Sequence, residues 1–304
     1  MAENARVIPL RPDIDPPQPE PVAESGTRER QFADVLDFLR RRITGDYVVD
    51  EFGFDAELND QVLMAPLRLL YDKWFRVEVS GLSHVPHSGP VLIVANHSGT
   101  IAMDALMTQL ALLDHHPAGR HLRMLGANMV FATPGLGQLA RKTGTTLACT
   151  PDAERLLSAG HVVGVWPEGF KGIGKPFSER YHLQRFGRGG FVSAALRTGA
   201  PIVPCTIVGA EEIYPMLGNI KVLARMLRLP YFPITATFPW LGALGLLPLP
   251  SKWLIEFGEP IETGGMGAAA AEDPMLMFNL TDQIRATIQQ TLYHLLQRRG
   301  SAFF

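Results

Sequence analysis

From residue 91 onward, short and wholly apolar runs alternate with stretches of helical periodicity, and that alternation leaves few architectures open. Val91 to Ala95 reads Val-Leu-Ile-Val-Ala without a polar position, the pattern of a strand covered on both faces of a parallel sheet. Further strands are predicted at 121–127, 161–166, 202–208 and 253–257, with helices at 104–113, 151–159 and 189–197. Thr150 is placed as N-cap with Pro151 as the first helical residue, and Gly160 ends that helix. Strands separated by helices imply an α/β fold, a mainly parallel sheet flanked by helices. Ligands of such sheets bind beyond the carboxyl ends of the strands.

What precedes this region differs in character. Residues 1–27 hold six prolines and no apolar signal-peptide core, so they read as a disordered tail. Residues 28–75 are expected to form N-terminal helices that associate with a membrane. One spans 28–43, with Phe32, Val35, Leu36 and Leu39 on one stripe, and an apolar-basic segment follows at 62–75. Residues 76–304 are assigned to the α/β domain. A content of 46% hydrophobic residues excludes a disordered chain, and a net charge of -2 argues against a nucleic-acid partner. The two cysteines, Cys149 and Cys205, fit a reducing compartment and read as buried, inert thiols.

One stretch departs from the alternation. Residues 229–250 carry no charge and are long enough to cross a bilayer, but five prolines argue against a spanning helix. Just before it, Lys221, Arg225 and Arg228 oppose Val222, Leu223, Met226 and Leu227, the form of a basic amphipathic helix lying on an anionic interface. An ordinary surface helix followed by a buried loop is the alternative. The last helix, predicted at 277–299, reads as structural.

The polar clusters fall where strands end. Asn96-His97-Ser98-Gly99 follows the first buried strand directly. A histidine there is by itself an ordinary loop residue; a carboxylate that fixes its tautomer makes it a base, and Asp104 is the candidate. Seven residues along one helix would separate the two by about 10.5 Å. A dyad therefore requires 98–101 to fold back over the helix's first turn, with Gly99 permitting the dihedrals. Trp166-Pro167-Glu168-Gly169-Phe170-Lys171-Gly172 is a second strand-end turn, its Glu168 and Lys171 offering an acceptor and a cation, or forming a plain surface turn. Arg180, Arg185 and Arg188 then precede Gly189-Gly190, as a phosphate-holding group or a solvated one. His115 and His116 lack metal-ligand spacing and read as solvated. Ser98 has no G-x-S-x-G context, and neighbouring residues such as His97 and Ser98 point apart, which disfavours a covalent serine mechanism.

The order of Asn96-His97 with a following aspartate, then Pro167-Glu168-Gly169, then Pro201-Ile202-Val203-Pro204, resembles the glycerolipid acyltransferase family that includes bacterial lysophosphatidic acid acyltransferases, over roughly residues 75–260. The resemblance implies a membrane-associated enzyme in which a histidine deprotonates an acceptor hydroxyl for attack on an acyl thioester. His97 matches the base and Asp104 the acid that orients it. Asn96, which adjoins the base, is assigned to substrate binding with Glu168 and Gly169, which match the acceptor-binding turn, and Pro204, which matches the last block. Six residues separate His97 from Asp104, where four are usual in the family. Residues 144–151 lack the usual acceptor-binding arginine, and Lys171 stands where arginine is common, a point charge in place of a fork. Lys171, Arg185 and Arg188 are the available substitutes. The expected partners are acyl-CoA or acyl carrier protein as co-substrate, a lipid acceptor such as lysophosphatidic acid, and the cytoplasmic membrane surface. No metal or cofactor is called for. A neutral acceptor such as diacylglycerol or a long-chain alcohol, and a lipid-binding protein without turnover, are the competing readings.

Overall fold

The computed structural model describes residues 24–303 apart from 99, 100, 188 and 228. Most of the predicted tail, and the expectations for Gly99, Arg188 and Arg228, lie outside the described residues. The chain forms two compact units, one ending at Val48 and the other starting at Val49. In the first, helix α1 (Glu24–Thr44) begins ahead of the predicted residue 28, and its Val35, Leu36 and Leu39 are exposed.

The second unit opens with α2 (Ala56–Leu58) and α3 (Ala65–Leu69), each extended by a wider π-type turn that carries the helical path on to Trp74. This segment, expected with the first helix to associate with a membrane, supplies core on one side and leaves Val62, Leu69 and Trp74 exposed. Met64, Tyr71 and Phe75 are buried, and Phe75 stacks on Trp253 at 4.7 Å between ring centroids. Strands β1 (Glu78–Ser80), β2 (Val91–Ala95), β3 (Leu122–Gly126), β4 (Thr146–Leu147), β5 (Val162–Val165), β6 (Ile202–Val208), β7 (Met216–Asn219), β8 (Pro233–Thr235) and β9 (Leu254–Phe257) follow in chain order. Seven of them make one sheet in the order β1-β9-β6-β2-β5-β3-β4, and β7 and β8 pair separately. Strands β6, β2, β5, β3 and β4 run parallel; β9 is antiparallel to β6, with β1 parallel to β9.

The remaining helices are α4 (Met103–His115), α5 (Asn128–Ala132), α6 (Leu136–Lys142), α7 (Thr150–Ser158), α8 (Phe170–Ile173), α9 (Gly190–Thr198), α10 (Lys221–Met226) and α11 (Pro274–Arg299). The expected sheet with helices on its faces is thus present, and β2 shows why its sequence is apolar throughout. Successive side chains of a strand face opposite ways. Val91, Ile93 and Ala95 join the core that holds Met107 and Leu110 of α4, while Leu92 and Val94 join the core built on α7, α9 and α11.

Several local expectations need correction. Cys149, not Thr150, occupies the N-cap position of α7 and makes no side-chain cap bond. His116 is buried rather than solvated: its Nδ1 accepts from the Ala118 N–H, so its Nε2–H donates to the Val85 carbonyl at 3.0 Å. Burial pushes the Cys205 thiol far up, as expected of an inert thiol, while Cys149 is only half-buried. Among the described residues, no helix is long and apolar enough to cross a membrane. The uncharged 229–250 stretch is instead broken into β8, a turn and a single-turn 3₁₀ helix at Gly242–Leu246.

Candidate active site

Strand β2 ends at Ala95, and two residues later the His97 ring stands at the carboxyl edge of the sheet. Asp104, in the first turn of α4, meets it: His97 Nδ1 lies 2.7 Å from Asp104 Oδ2. Asp104 acts as acceptor at each of its carboxylate contacts, taking the Ser98 N–H on the same oxygen and the Ala105 N–H on the other, both at 2.9 Å. The N-terminus of a 13-residue helix adds favourable potential for negative charge there. His97 Nδ1 is therefore the donor, which leaves Nε2 with a free lone pair. The aspartate side chain is fully buried and the histidine side chain 13% exposed, so the ring bridges a dry anchor and the surface. Ser98 Oγ is buried without any hydrogen-bond partner, so no serine is activated by this imidazole.

Behind His97, the side chains of Glu168 and Asn96, both assigned to substrate binding, are bonded to the chain's own backbone. Glu168 accepts the His97 backbone N–H at 2.9 Å and the Gln184 N–H at 2.7 Å, and is buried. Both oxygens are committed, which makes Glu168 a brace for the histidine's main chain. The Asn96 side chain donates to the Ile207 carbonyl and accepts the Ile207 N–H, at 2.9 and 2.8 Å, which ties the end of β2 to β6. Pro204 is buried in the middle of β6 and its carbonyl accepts the Gly258 N–H, so it shapes the strand. Gly169 sits at φ +55° in the exposed turn that starts α8, a conformation that favours glycine.

Gly172 is the residue whose role the sequence reading missed. A Cβ there would lie 2.8 Å from the His97 carbonyl oxygen and 2.7 Å from Glu168 Cβ. The glycine lets α8 approach the histidine loop. Gly172→Ala is expected to displace His97 and lower turnover about 100-fold, the scale of a 1 Å misplacement, while the thermal unfolding midpoint moves by a few degrees. Turnover within threefold of the parent would contradict this packing account.

A buried ion network continues from Glu168. Lys175 Nζ lies 3.6 Å from Glu168 Oε2 and 3.0 Å from Glu211 Oε1, and donates to the His182 carbonyl. Glu211 also accepts the Tyr181 N–H, while the Tyr181 hydroxyl donates to Glu212, which Arg299 of α11 grips at 2.6 Å. Arg285 donates to the Leu183 and Gln184 carbonyls, and Gln289 bonds to the Tyr181 carbonyl and the Leu183 N–H. Neither Lys175 nor Glu211 belongs to a recognisable motif; the adjacent pair Glu211-Glu212 just beyond a strand end was the available signal.

Burial raises the Glu211 carboxyl to about 7, with Lys175 and the Tyr181 N–H offsetting part of the rise. The unfolded chain releases this proton near the ordinary 4.5 and the folded chain near 7. Between those values the folded state binds more protons, so this group's contribution falls as pH rises and levels off above 7. Unfolding midpoints of the parent and Glu211→Gln, measured from pH 5 to 8, should diverge by several degrees in favour of the variant at high pH (about 2–4 °C per kcal/mol). Parallel curves would rule the coupling out.

The cations expected at the acceptor are dispersed. Lys171 is exposed on α8, next to Gly172 and hence near His97. Arg180 lies over the Phe177 ring at 4.4 Å. Arg185 is exposed beside a cleft of about 240 Å³ between the 185–189 loop and the start of α11, lined also by Met277, Phe278 and Asp282. His97 does not line that cleft. Farther along, Leu217, Val222, Met226, Trp240, Leu244 and Leu247 are each more than 60% exposed, with Lys221 and Arg225 among them. On the inner side of this segment, Tyr231 reaches within 3.2 Å of where a Cβ on Gly174 would stand, which places it against the end of α8.

A histidine oriented by a buried aspartate at the mouth of an α/β sheet has the arrangement that general-base chemistry requires. Residues 76–208 match the Acyltransferase family. The uncharacterized protein Rv0502 of Mycobacterium tuberculosis is 59% identical over 272 residues, which is 90% of this chain and 76% of that protein. The human "DGAT1/2-independent enzyme synthesizing storage lipids" is 27% identical over 169 residues, 55% of this chain and 51% of the relative. The crystal structure of the LPA acyltransferase PlsC from Thermotoga maritima aligns with a TM-score of 0.48 and 17% identity, over 74% of this chain and 73% of that one. The chain belongs to the acyltransferase family.

Proposed function

We propose that this acyltransferase works at a membrane surface, moving a fatty acyl group from acyl-CoA or acyl carrier protein to the hydroxyl of a glycerolipid such as lysophosphatidic acid. The observation that carries the reading is the 2.7 Å contact from His97 Nδ1 to Asp104, which leaves Nε2 as a base at the sheet's mouth. The acceptor oxygen bonds to the acyl carbon as Nε2 takes its proton; the C–S bond then breaks, and the thiolate leaves and receives that proton from the imidazolium. General-base assistance of this kind contributes about 10²–10⁴-fold, and Asp104 stabilises the imidazolium as it forms. Because Ser98 Oγ lacks a hydrogen bond to the ring, direct transfer in a ternary complex fits better than an acyl-serine.

Exposed Lys171, next to Gly172 and hence near His97, favours an acceptor that bears phosphate. A neutral acceptor is the second reading, supported by the absence of arginine from 144–151 and by the likeness to the human relative. The exposed apolar and basic segment at 217–247 supports peripheral attachment to anionic lipid, at the cytoplasmic face, with the site opening toward the bilayer. Radiolabelled palmitoyl-CoA offered with lysophosphatidic acid, other lysophospholipids, diacylglycerol and long-chain alcohols tests the assignment. Product with lysophosphatidic acid is expected. Product confined to neutral acceptors selects the second reading, and none with any acceptor or donor rejects both in favour of a lipid-binding protein.

A further inference from the structure

His97 is held at its ring by Asp104 and at its backbone by Glu168, and the second contact leads into the buried ions that the transfer scheme leaves unused. We propose that Lys175 is a positioning residue for His97: its ammonium, held between Glu168 and Glu211, fixes the carboxylate that grips the histidine's backbone N–H. The inference rests on the acyl-transfer reading for its kinetic arm alone.

The Lys175 side chain is 3% exposed, and an ammonium in such a place persists only if paired. Its partners come from separate strand ends. Glu168 follows β5 and Glu211 follows β6, so the cation links two segments on either side of the β2 end that carries His97. Glu168 has no other cation within ion-pair distance among the described residues. The groups facing the pair are the His97 and Gln184 N–H on Glu168, the Tyr181 N–H on Glu211, and, beyond Tyr181, Glu212 with Arg299. Without Lys175, Glu168 would lose the cation 3.6 Å from its Oε2 while still bonded to the His97 N–H, and with the carboxylate no longer fixed from behind the loop carrying the ring would relax.

The double variant Lys175→Met/Glu211→Gln removes the cation together with the second carboxylate, so that Glu168 is not left facing a like charge. Three quantities decide: the unfolding midpoint, kcat and KM with palmitoyl-CoA and the acceptor found in the panel, and the ring ¹⁵N resonances of His97 without ligand. The expected result is a midpoint near the parent's, kcat lower by about 10–100-fold, KM for palmitoyl-CoA within threefold, and displaced His97 resonances. Recovery of kcat along with the midpoint, or His97 resonances identical to the parent's, would show that Lys175 serves the fold alone and would overturn the proposal. If the double variant does not fold, Lys175→Arg, which keeps the charge on a longer planar group, is read by the same resonances: displaced signals support the link and unchanged ones reject it. If the parent transfers no acyl group, the functional reading fails while the resonances still decide the positioning role.

Discussion

Replacing His97 with alanine is expected to lower acyl transfer by about 10²–10⁴-fold while the protein stays bound to lipid vesicles. The size follows from the site's economy of groups. Asp104 is buried and turned toward Nδ1, Ser98 Oγ has no partner, and Glu168 faces the backbone, so none of these three side chains is placed to take over as base. Binding should persist because the exposed apolar segment lies elsewhere in the chain. The assay is initial rate against palmitoyl-CoA, with vesicle flotation run in parallel. Activity within a few-fold of the parent would mean that another group removes the proton.

Trp240→Ser/Leu244→Ser/Leu247→Ser is expected to release the protein from vesicles containing anionic phospholipid. All three side chains are more than 60% exposed, so the fold loses little. Each buried large apolar side chain is worth about 1.5–3 kcal/mol, and three together, at the lower end, weaken partition by about a thousandfold. Substitution is a cleaner probe than deleting 229–250, because Tyr231 and Thr235 in that stretch are buried. Flotation unchanged from the parent would move the attachment to another surface, with the exposed stripe of α1 the next candidate.

The two-sided sheet was readable because β2 is buried at every position, and burial on both faces writes itself there as an unbroken apolar run, which β6 repeats with Thr206 as its one polar residue. The histidine and its aspartate were readable because the seven-residue spacing allowed one productive geometry. Strands β1 and β4 escaped notice: three and two residues are too short for a period to show. The direction in which Glu168 points was also hidden. A motif gives a residue type at a strand end, but whether the carboxylate faces substrate or the chain's own N–H groups depends on Gln184 and Lys175, which no spacing rule connects to it. The same holds for Gly172, where the need for glycine comes from the His97 loop 75 residues away in sequence.

The helix α11 carries none of the groups that touch a reacting atom, yet Arg285 and Gln289 hold the loop from Tyr181 to Gln184, and Gln184 holds Glu168. A line of hydrogen bonds thus runs from the carboxy-terminal helix to the backbone N–H of His97. A ligand or lipid contact that shifted α11 by a fraction of a turn would reach the imidazole through main-chain hydrogen bonds alone, without entering the catalytic centre.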